Sequence, residues 1–172
     1  QLAASGYPLI SVETVTRLLF EMEYPDSLQR KLNINILSIE SFLFAVLKAE
    51  QTLPVVNSPR AVTLLPHCME QTREKQSSQQ WQDLFKLLGV TLEINNAGCC
   101  GMSGLFGHEL ENQQLSEDIY RLAWQPALNS VQGIALASGF SCRCQAESHR
   151  QKLLHPCVYL DALFDKSFWA HP

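Results

Sequence analysis

With 172 residues, of which 46% are apolar and 17% charged, the chain can bury one ordinary core and is not a disordered segment. A formal net charge of −4 without a basic stripe argues against a nucleic-acid partner. No apolar run approaches a membrane span and no signal peptide is recognised. The six cysteines are therefore expected to be reduced thiols of a cytoplasmic protein, not the disulfides of a small secreted scaffold.

The chain opens QLAAS and not on a methionine, as a piece of a longer protein would. Tyr7–Val12 predicts a short buried strand. Thr16–Tyr24 has helical spacing through Leu19, Phe20 and Glu23 and stops at Pro25. Ser38 predicts the cap of a helix over Ile39–Glu50, and Gln51–Arg60, with Pro54 and Pro59, reads as a loop. Ala61–Leu65 is the next strand, ending in Pro66-His67-Cys68, and the polar Met69–Gln76 begins a helix or a loop. Ser77, with Gln80 three residues on, predicts a capping box for a helix through Trp81, Leu84, Phe85 and Leu88 that Gly89 ends. Val90–Ile94 alternates as a strand and leads into the turn Asn96–Glu109, NAGCCGMSGLFGHE. In the periodic segment Leu115–Leu128, Ser116 with Glu117 and Asp118 predicts the cap of a helix over Ile119–Leu128. Gly133–Ala137 is a fourth strand, ending in Ser138-Gly139-Phe140-Ser141-Cys142-Arg143-Cys144. His155 through Phe168 closes the chain as mostly helix.

Strands alternate with helices and no hairpin signal intervenes. The expected fold is α/β, a three-layer sandwich of about four mostly parallel strands flanked by helices, forming a single domain over residues 1–172. The sequence contains no GxGxxG, P-loop or GxSxG motif.

Cysteines follow three of the predicted strands directly. Thirty residues (69–98) separate Cys68 from Cys99, and forty-one (101–141) separate Cys100 from Cys142, each about one helix-plus-strand unit. In a parallel sheet the three strand ends share one edge, so Cys68, Cys99, Cys100, Cys142 and Cys144 could converge there. Gly98, Gly101, Gly104 and Gly107 can take positive φ and bring backbone N–H groups close to whatever occupies the turn. The adjacent pair Cys99-Cys100 reads either as ligands of one metal centre or as two small buried side chains; a disulfide between neighbours needs a strained ring. Thiolates suit an iron–sulfur cluster and, in a set of four, equally suit zinc. His67 can ligate metal, bond a sulfur, cap or sit in the core; His108 reads as a surface histidine ahead of one that approaches a substrate or partner, and Arg143 can neutralise thiolate charge. Cys157 reads as core, and Trp81, Trp124 and Trp169 as packing or interface residues.

Cys99-Cys100-Gly101, with Cys68 before and Cys142 after, resembles the CCG or cysteine-rich domain. That domain occurs in heterodisulfide reductase B subunits, glycolate oxidase iron–sulfur subunits and the C subunit of anaerobic glycerol-3-phosphate dehydrogenase. GCCGMSGLFGHE, SGFSCRCQ and LHP further resemble the C-terminal region of FAD-linked oxidase/iron–sulfur fusion proteins of the D-lactate or D-2-hydroxyglutarate dehydrogenase type. The likeness runs from about Tyr7 to Phe164. It implies an iron–sulfur cluster, in some members a non-cubane [4Fe-4S] arrangement on five cysteines. The metal ligands would be Cys68, Cys99, Cys100 and Cys142, with Cys144 as a further cofactor-binding residue. This chain has Cys142-Arg143-Cys144 where CCG domains often have CxxC. Where relatives carry an upstream Glu-Pro-Ser-Cys-like element, it has Glu13-Thr14-Val15-Thr16. His155-Pro156 resembles a family element that starts the last helix.

The resemblance implies an electron-transfer domain of a FAD-dependent 2-hydroxyacid dehydrogenase, not catalytic as an isolated fragment. FAD would lie elsewhere in the parent protein. The implied partners are its FAD-binding and ferredoxin-like domains, with a homo-oligomer as a further candidate. The alternative is a zinc-bound or metal-free structural and interaction domain of the same enzyme. Thiol–disulfide chemistry by Cys99 and Cys100 ranks below both, because no CxxC opens a helix.

Overall fold

A computed structural model describes residues 7–23, 35–50, 53 and 61–164. The chain runs β1 (Leu9–Ser11), α1 (Thr14–Leu18) with a π-helical turn over Leu19–Glu23, β2 (Ile36–Ser38) and α2 (Ile39–Ala49). It continues through β3 (Val62–Leu65), α3 (Cys68–Arg73), α4 (Ser77–Leu87), β4 (Leu92–Ile94) and a 3-10 turn over Phe106–His108. The last elements are α5 (Gln113–Ser130), β5 (Ile134–Ala137), α6 (Phe140–Ser148) and α7 (Pro156–Leu163).

The expected α/β class with parallel strands flanked by helices is what forms. Among the described residues, however, the strands are five, in two sheets. β1 pairs with β2 in one sheet, and β4-β3-β5 form the other, all parallel. Leu154 adds a further parallel contact beside Leu136. The fifth strand, β2, is three residues long and runs directly into α2, so it offers no alternation to read from sequence.

Period-two alternation builds three layers around the larger sheet. Val62, Leu64 and Leu136 join a cluster with Trp81, Leu84 and Phe85 of α4 and Tyr159 and Leu160 of α7. Leu65 and Ala137 face the other way, against Cys100, Met102, Tyr120 and Trp124 of α5, and Cys142 of α6. The central strand β3 is buried along its whole length. Burying an aliphatic side chain of this size contributes roughly 1.5–3 kcal/mol.

Several boundaries move for identifiable reasons. Gly89 ends α4 as expected: at φ +73° it lets its own N–H reach Lys86 O at 3.0 Å and the Val90 N–H reach Phe85 O at 3.0 Å. Ser77 does not form the expected capping box. Gln76 holds the cap position, and the buried Ser77 hydroxyl donates to the Glu40 carboxylate at 2.7 Å instead. Ser116 is no cap either, because α5 begins at Gln113 and buries Ser116 against the glycine-rich turn. Ser38 holds the cap position of α2, but its hydroxyl pairs with that of Ser41 and not with backbone. Met69–Gln76 starts as helix α3, and the segment after β5, read as an extended strand end, is helix from Phe140. The predicted stop at Pro25, the loop residues Pro54 and Pro59, and Trp169 lie outside the described residues.

Candidate cysteine centre

Four cysteines meet at the carboxyl edge of the three-stranded sheet. Cys68 is the first residue of α3, after the central strand; Cys99 and Cys100 lie in the turn after β4; Cys142 sits in the first turn of α6, after β5. Hydrogen bonds between side chains pair Cys68 with Cys99 and Cys100 with Cys142, and the charges of both pairs act on one another. The two neighbours in sequence thus turn to different partners. Cys100 and Cys142 are buried, Cys68 and Cys99 half-buried, and all are free thiols.

The turn is shaped to hold negative sulfur. Gly98, Gly101 and Gly104 have positive φ, and so does Ser103, at 40°; Gly107 does not. The Gly101 N–H donates to Cys99 Sγ at 3.4 Å, and the Met102 and Ser103 amides donate to Cys100. Gly101 is required twice over, since its φ is +92° and a Cβ there would lie 2.1 Å from the Ser116 carbonyl oxygen of α5. Trp124 of α5 donates from Nε1 to Gly98 O at 3.1 Å, fixing the other end of the turn.

Each pair divides its protons unequally. The Cys68 hydrogen bond, partly offset by burial and supported by the Gly101 amide, holds Cys99 down at about 6. The Cys142 hydrogen bond likewise holds Cys100 below the ordinary thiol range, against the cost of burial. Cys68 and Cys142 are pushed far up, by bonding to those partner sulfurs and by burial. Near neutral pH the outer pair is one thiol donating to one thiolate, and in the inner pair Cys100 is the more acidic sulfur.

The surrounding polar groups brace the two cysteine-bearing helices. His67 caps α3, its Nδ1 accepting from the Met69 N–H at 3.1 Å. Burial holds its imidazole below the usual range. Its ring and Cys142 Sγ share the space beside Gly139, where a Cβ would lie 2.4 Å from His67 Cδ2 and 3.0 Å from that sulfur. Ser138 accepts from the His67 N–H at 3.0 Å and donates to Glu70 Oε2 at 2.8 Å. Thr14 donates to Glu70 Oε1 at 2.8 Å. Glu13 takes the Phe140 N–H at 3.0 Å and the Arg143 guanidinium at 3.1 Å. The same guanidinium donates to Ala137 O and Ser138 O, so Arg143 is a strut of the β5–α6 corner. The Glu13-Thr14 segment, noted from sequence only for its missing cysteine, thus grips both helices. Nothing in the sequence pattern signals that role, nor the bracing by Glu70 and Ser138.

Cys144 is on α6 two residues beyond Cys142, and positions two apart on a helix face about 200° away from each other. It lines a cavity of about 450 Å³ with Met102, His108, Ser116 and Gln145, which none of the other cysteines lines. His108 is exposed. His155 caps α7, its Nδ1 accepting from the Cys157 N–H at 3.1 Å, and Cys157 packs against the larger core cluster. Trp81 and Trp124 are fully buried.

Among the described residues, no three His, Cys, Asp or Glu side chains stand in a group arranged for a single metal ion. No helix among them is long and apolar enough to cross a membrane.

Residues 62–142 match the family described as a cysteine-rich domain, CCG. Over most of its length the chain is similar to D-2-hydroxyglutarate dehydrogenases. It is 33% identical to that of Haemophilus influenzae over 91% of the chain, and 36% identical to that of Pantoea ananatis over 86%. It is 32% identical to that of Escherichia coli over 86%. The chain spans 16% of the first relative's length and 14% of the other two. No solved structure matches it significantly.

Proposed function

Because this chain carries a CCG cysteine-rich domain and is related to D-2-hydroxyglutarate dehydrogenases, we propose that it is the electron-transfer domain of such an FAD-linked oxidoreductase. It holds an iron–sulfur centre on Cys68, Cys99, Cys100 and Cys142. One observation supports this above the rest: four sulfurs from three strand ends pair at one sheet edge, over a turn whose amides point at two of them.

The donor set fits. Iron–sulfur clusters take cysteine thiolates and are tuned by N–H bonds to sulfur, and two of the four sulfurs already receive backbone N–H bonds that favour the thiolate. When bound, the cluster supplies a one-electron relay. The chain's own part is to present four thiolates, release the protons of Cys68 and Cys142 on loading, and exclude water behind the buried inner pair. Cys144 stays outside this set because it faces the separate cavity. The flavin, the hydroxy-acid site and a ferredoxin-like domain belong to other parts of the parent protein. A reducing compartment such as the cytoplasm suits six free thiols.

A second reading is a zinc-held or metal-free scaffold that packs against the catalytic domains; the lack of a single-ion group among the described residues favours its metal-free form. Anaerobic purification followed by iron, acid-labile sulfide and zinc analysis separates the two. Iron and sulfide in matching amounts, with charge-transfer absorption lost in Cys100→Ser and kept in Cys157→Ser, is the expected result. A protein that takes up no iron on anaerobic reconstitution is a scaffold.

A further inference from the structure

The four sulfurs are not equivalent. They form an outer pair, Cys68 and Cys99, each half-buried, and an inner pair, Cys100 and Cys142, at 3% and 1% exposure. Both pairs join residues far apart in sequence, and neither joins the neighbours Cys99 and Cys100. In the outer pair a reagent from solvent can reach a sulfur that already has a second sulfur against it. In the inner pair the same contact exists without the access.

We infer that Cys68 and Cys99 form a hydroperoxide-reactive dithiol that closes reversibly to a disulfide in the metal-free protein, while Cys100 and Cys142 stay reduced. Cys99 is the attacking sulfur, because the Gly101 amide donates to it at 3.4 Å, a bond that favours the anion, whereas the Met69 amide beside Cys68 is taken by His67 Nδ1. Its thiolate attacks one peroxide oxygen. The S–O bond forms, the O–O bond breaks, and hydroxide leaves, giving the sulfenic acid of Cys99. Cys68 then attacks that sulfur. The S–S bond forms, the S–O bond breaks, and the oxygen leaves as water with the Cys68 proton. The two thiols lose two electrons and hydrogen peroxide gains them, ending as two waters once the hydroxide is protonated by solvent. A reducing thiol reverses the change. The adjacent pair does not compete, since its ring is strained and Cys100 is turned toward Cys142.

This inference uses the same sulfurs as the proposed centre but does not depend on iron binding. A closed outer pair removes two of the four sulfurs, so the oxidised protein cannot load a four-thiolate centre until it is reduced.

The test takes the full-length protein, measures its iron as purified, then strips metal with a chelator, treats it with hydrogen peroxide, and alkylates in denaturant. Arg73, Lys75, Lys86 and Arg121 let trypsin separate Cys68, the Cys99/Cys100 peptide and Cys142, with fragmentation between Cys99 and Cys100 assigning the link. The expected product joins Cys68 to Cys99, with Cys100 and Cys142 alkylated, and is opened by dithiothreitol. Cys68→Ser should instead leave a dimedone-trappable sulfenic acid on Cys99, and Cys157→Ser should oxidise as wild type does. A Cys99–Cys100 or Cys100–Cys142 disulfide as the first product, or Cys99 unreacted while other thiols oxidise, overturns the inference. The initial iron value reports on the cluster reading separately, because the disulfide is mapped whether or not that value is zero.

Discussion

Gly139 shows how little space the centre leaves. Its φ is −76°, a value any residue adopts, so its lack of a side chain serves only to admit the His67 ring and Cys142 Sγ. The His67 ring cannot swing aside freely, because its Nδ1 caps α3. Gly139→Ala should therefore cost about 1–3 kcal/mol, the usual range for overpacking, and should lower iron uptake more than a surface substitution does. Chemical denaturation and iron analysis of the same preparation check both. The proton distribution gives a second expectation at this scale. Cys99 of the metal-free protein should alkylate with a midpoint near 6, below the ordinary thiol value of about 8.5, because its thiolate is held by Cys68 and the Gly101 amide. Cys68→Ala removes the larger of those causes and should move the midpoint upward. A midpoint that stays put means the pair is not coupled. Neither the space beside Gly139 nor the proton division was legible in the sequence, since both arise between residues that follow different strands. That the four cysteines meet at one sheet edge was legible, because each follows a recognisable strand at a spacing of about one helix-plus-strand unit.

The helices α3 and α6 carry Cys68 and Cys142, and buried polar groups from outside them set their positions. Glu70, 4% exposed, receives hydroxyls from Thr14 on α1 and from Ser138 at the end of β5. Burial raises its carboxyl to about 7, although both hydroxyls work against the rise. An acid raised in the folded state favours folding in its protonated form. Its contribution is fully present below the unfolded value, near 4.5, and is lost as pH rises through about 7. The loss should be on the order of 3 kcal/mol for a shift of this size. Glu70→Gln should flatten that part of the stability profile, with the amide oxygen placed where Oε2 now accepts from Ser138 and the Thr14 hydroxyl turning to accept from the amide nitrogen. Glu70→Ala should destabilise at every pH, because two buried hydroxyls lose their acceptor, at about 1–3 kcal/mol each. Urea denaturation from pH 4.5 to 8 distinguishes the three proteins. Sequence reasoning located α2, α4 and the end of α4 well, from apolar spacing and Gly89. It missed α6 because FSCRCQAES has almost no apolar stripe, and it misplaced the caps at Ser77, whose hydroxyl Glu40 claims, and at Ser116, which lies inside a helix that already begins at Gln113.

At the scale of the whole molecule, the three-layer arrangement could be read from strands that alternate between two apolar faces, as Leu64 and Leu65 do. The division into two sheets could not, because strand order depends on which ends meet and not on local pattern. The layout also limits what the chain can do by itself. Its carboxyl edge is occupied by cysteine-bearing turns, the sequence has no dinucleotide-binding glycine motif, and the chain is 14–16% of the length of its dehydrogenase relatives. If the flavin sits in another domain and this one carries electrons away, the two half-reactions must separate genetically. The isolated chain, given D-2-hydroxyglutarate or D-lactate, should reduce no dye above a heat-killed control. In the full-length protein, Cys100→Ser should leave flavin bleaching by the hydroxy acid near wild-type rate and slow the onward transfer to an external acceptor. Stopped-flow absorbance follows the first step and steady-state dye reduction the second. Equal loss of both would mean that the cysteine domain shapes the substrate site, and equal retention would mean that electrons leave by another route.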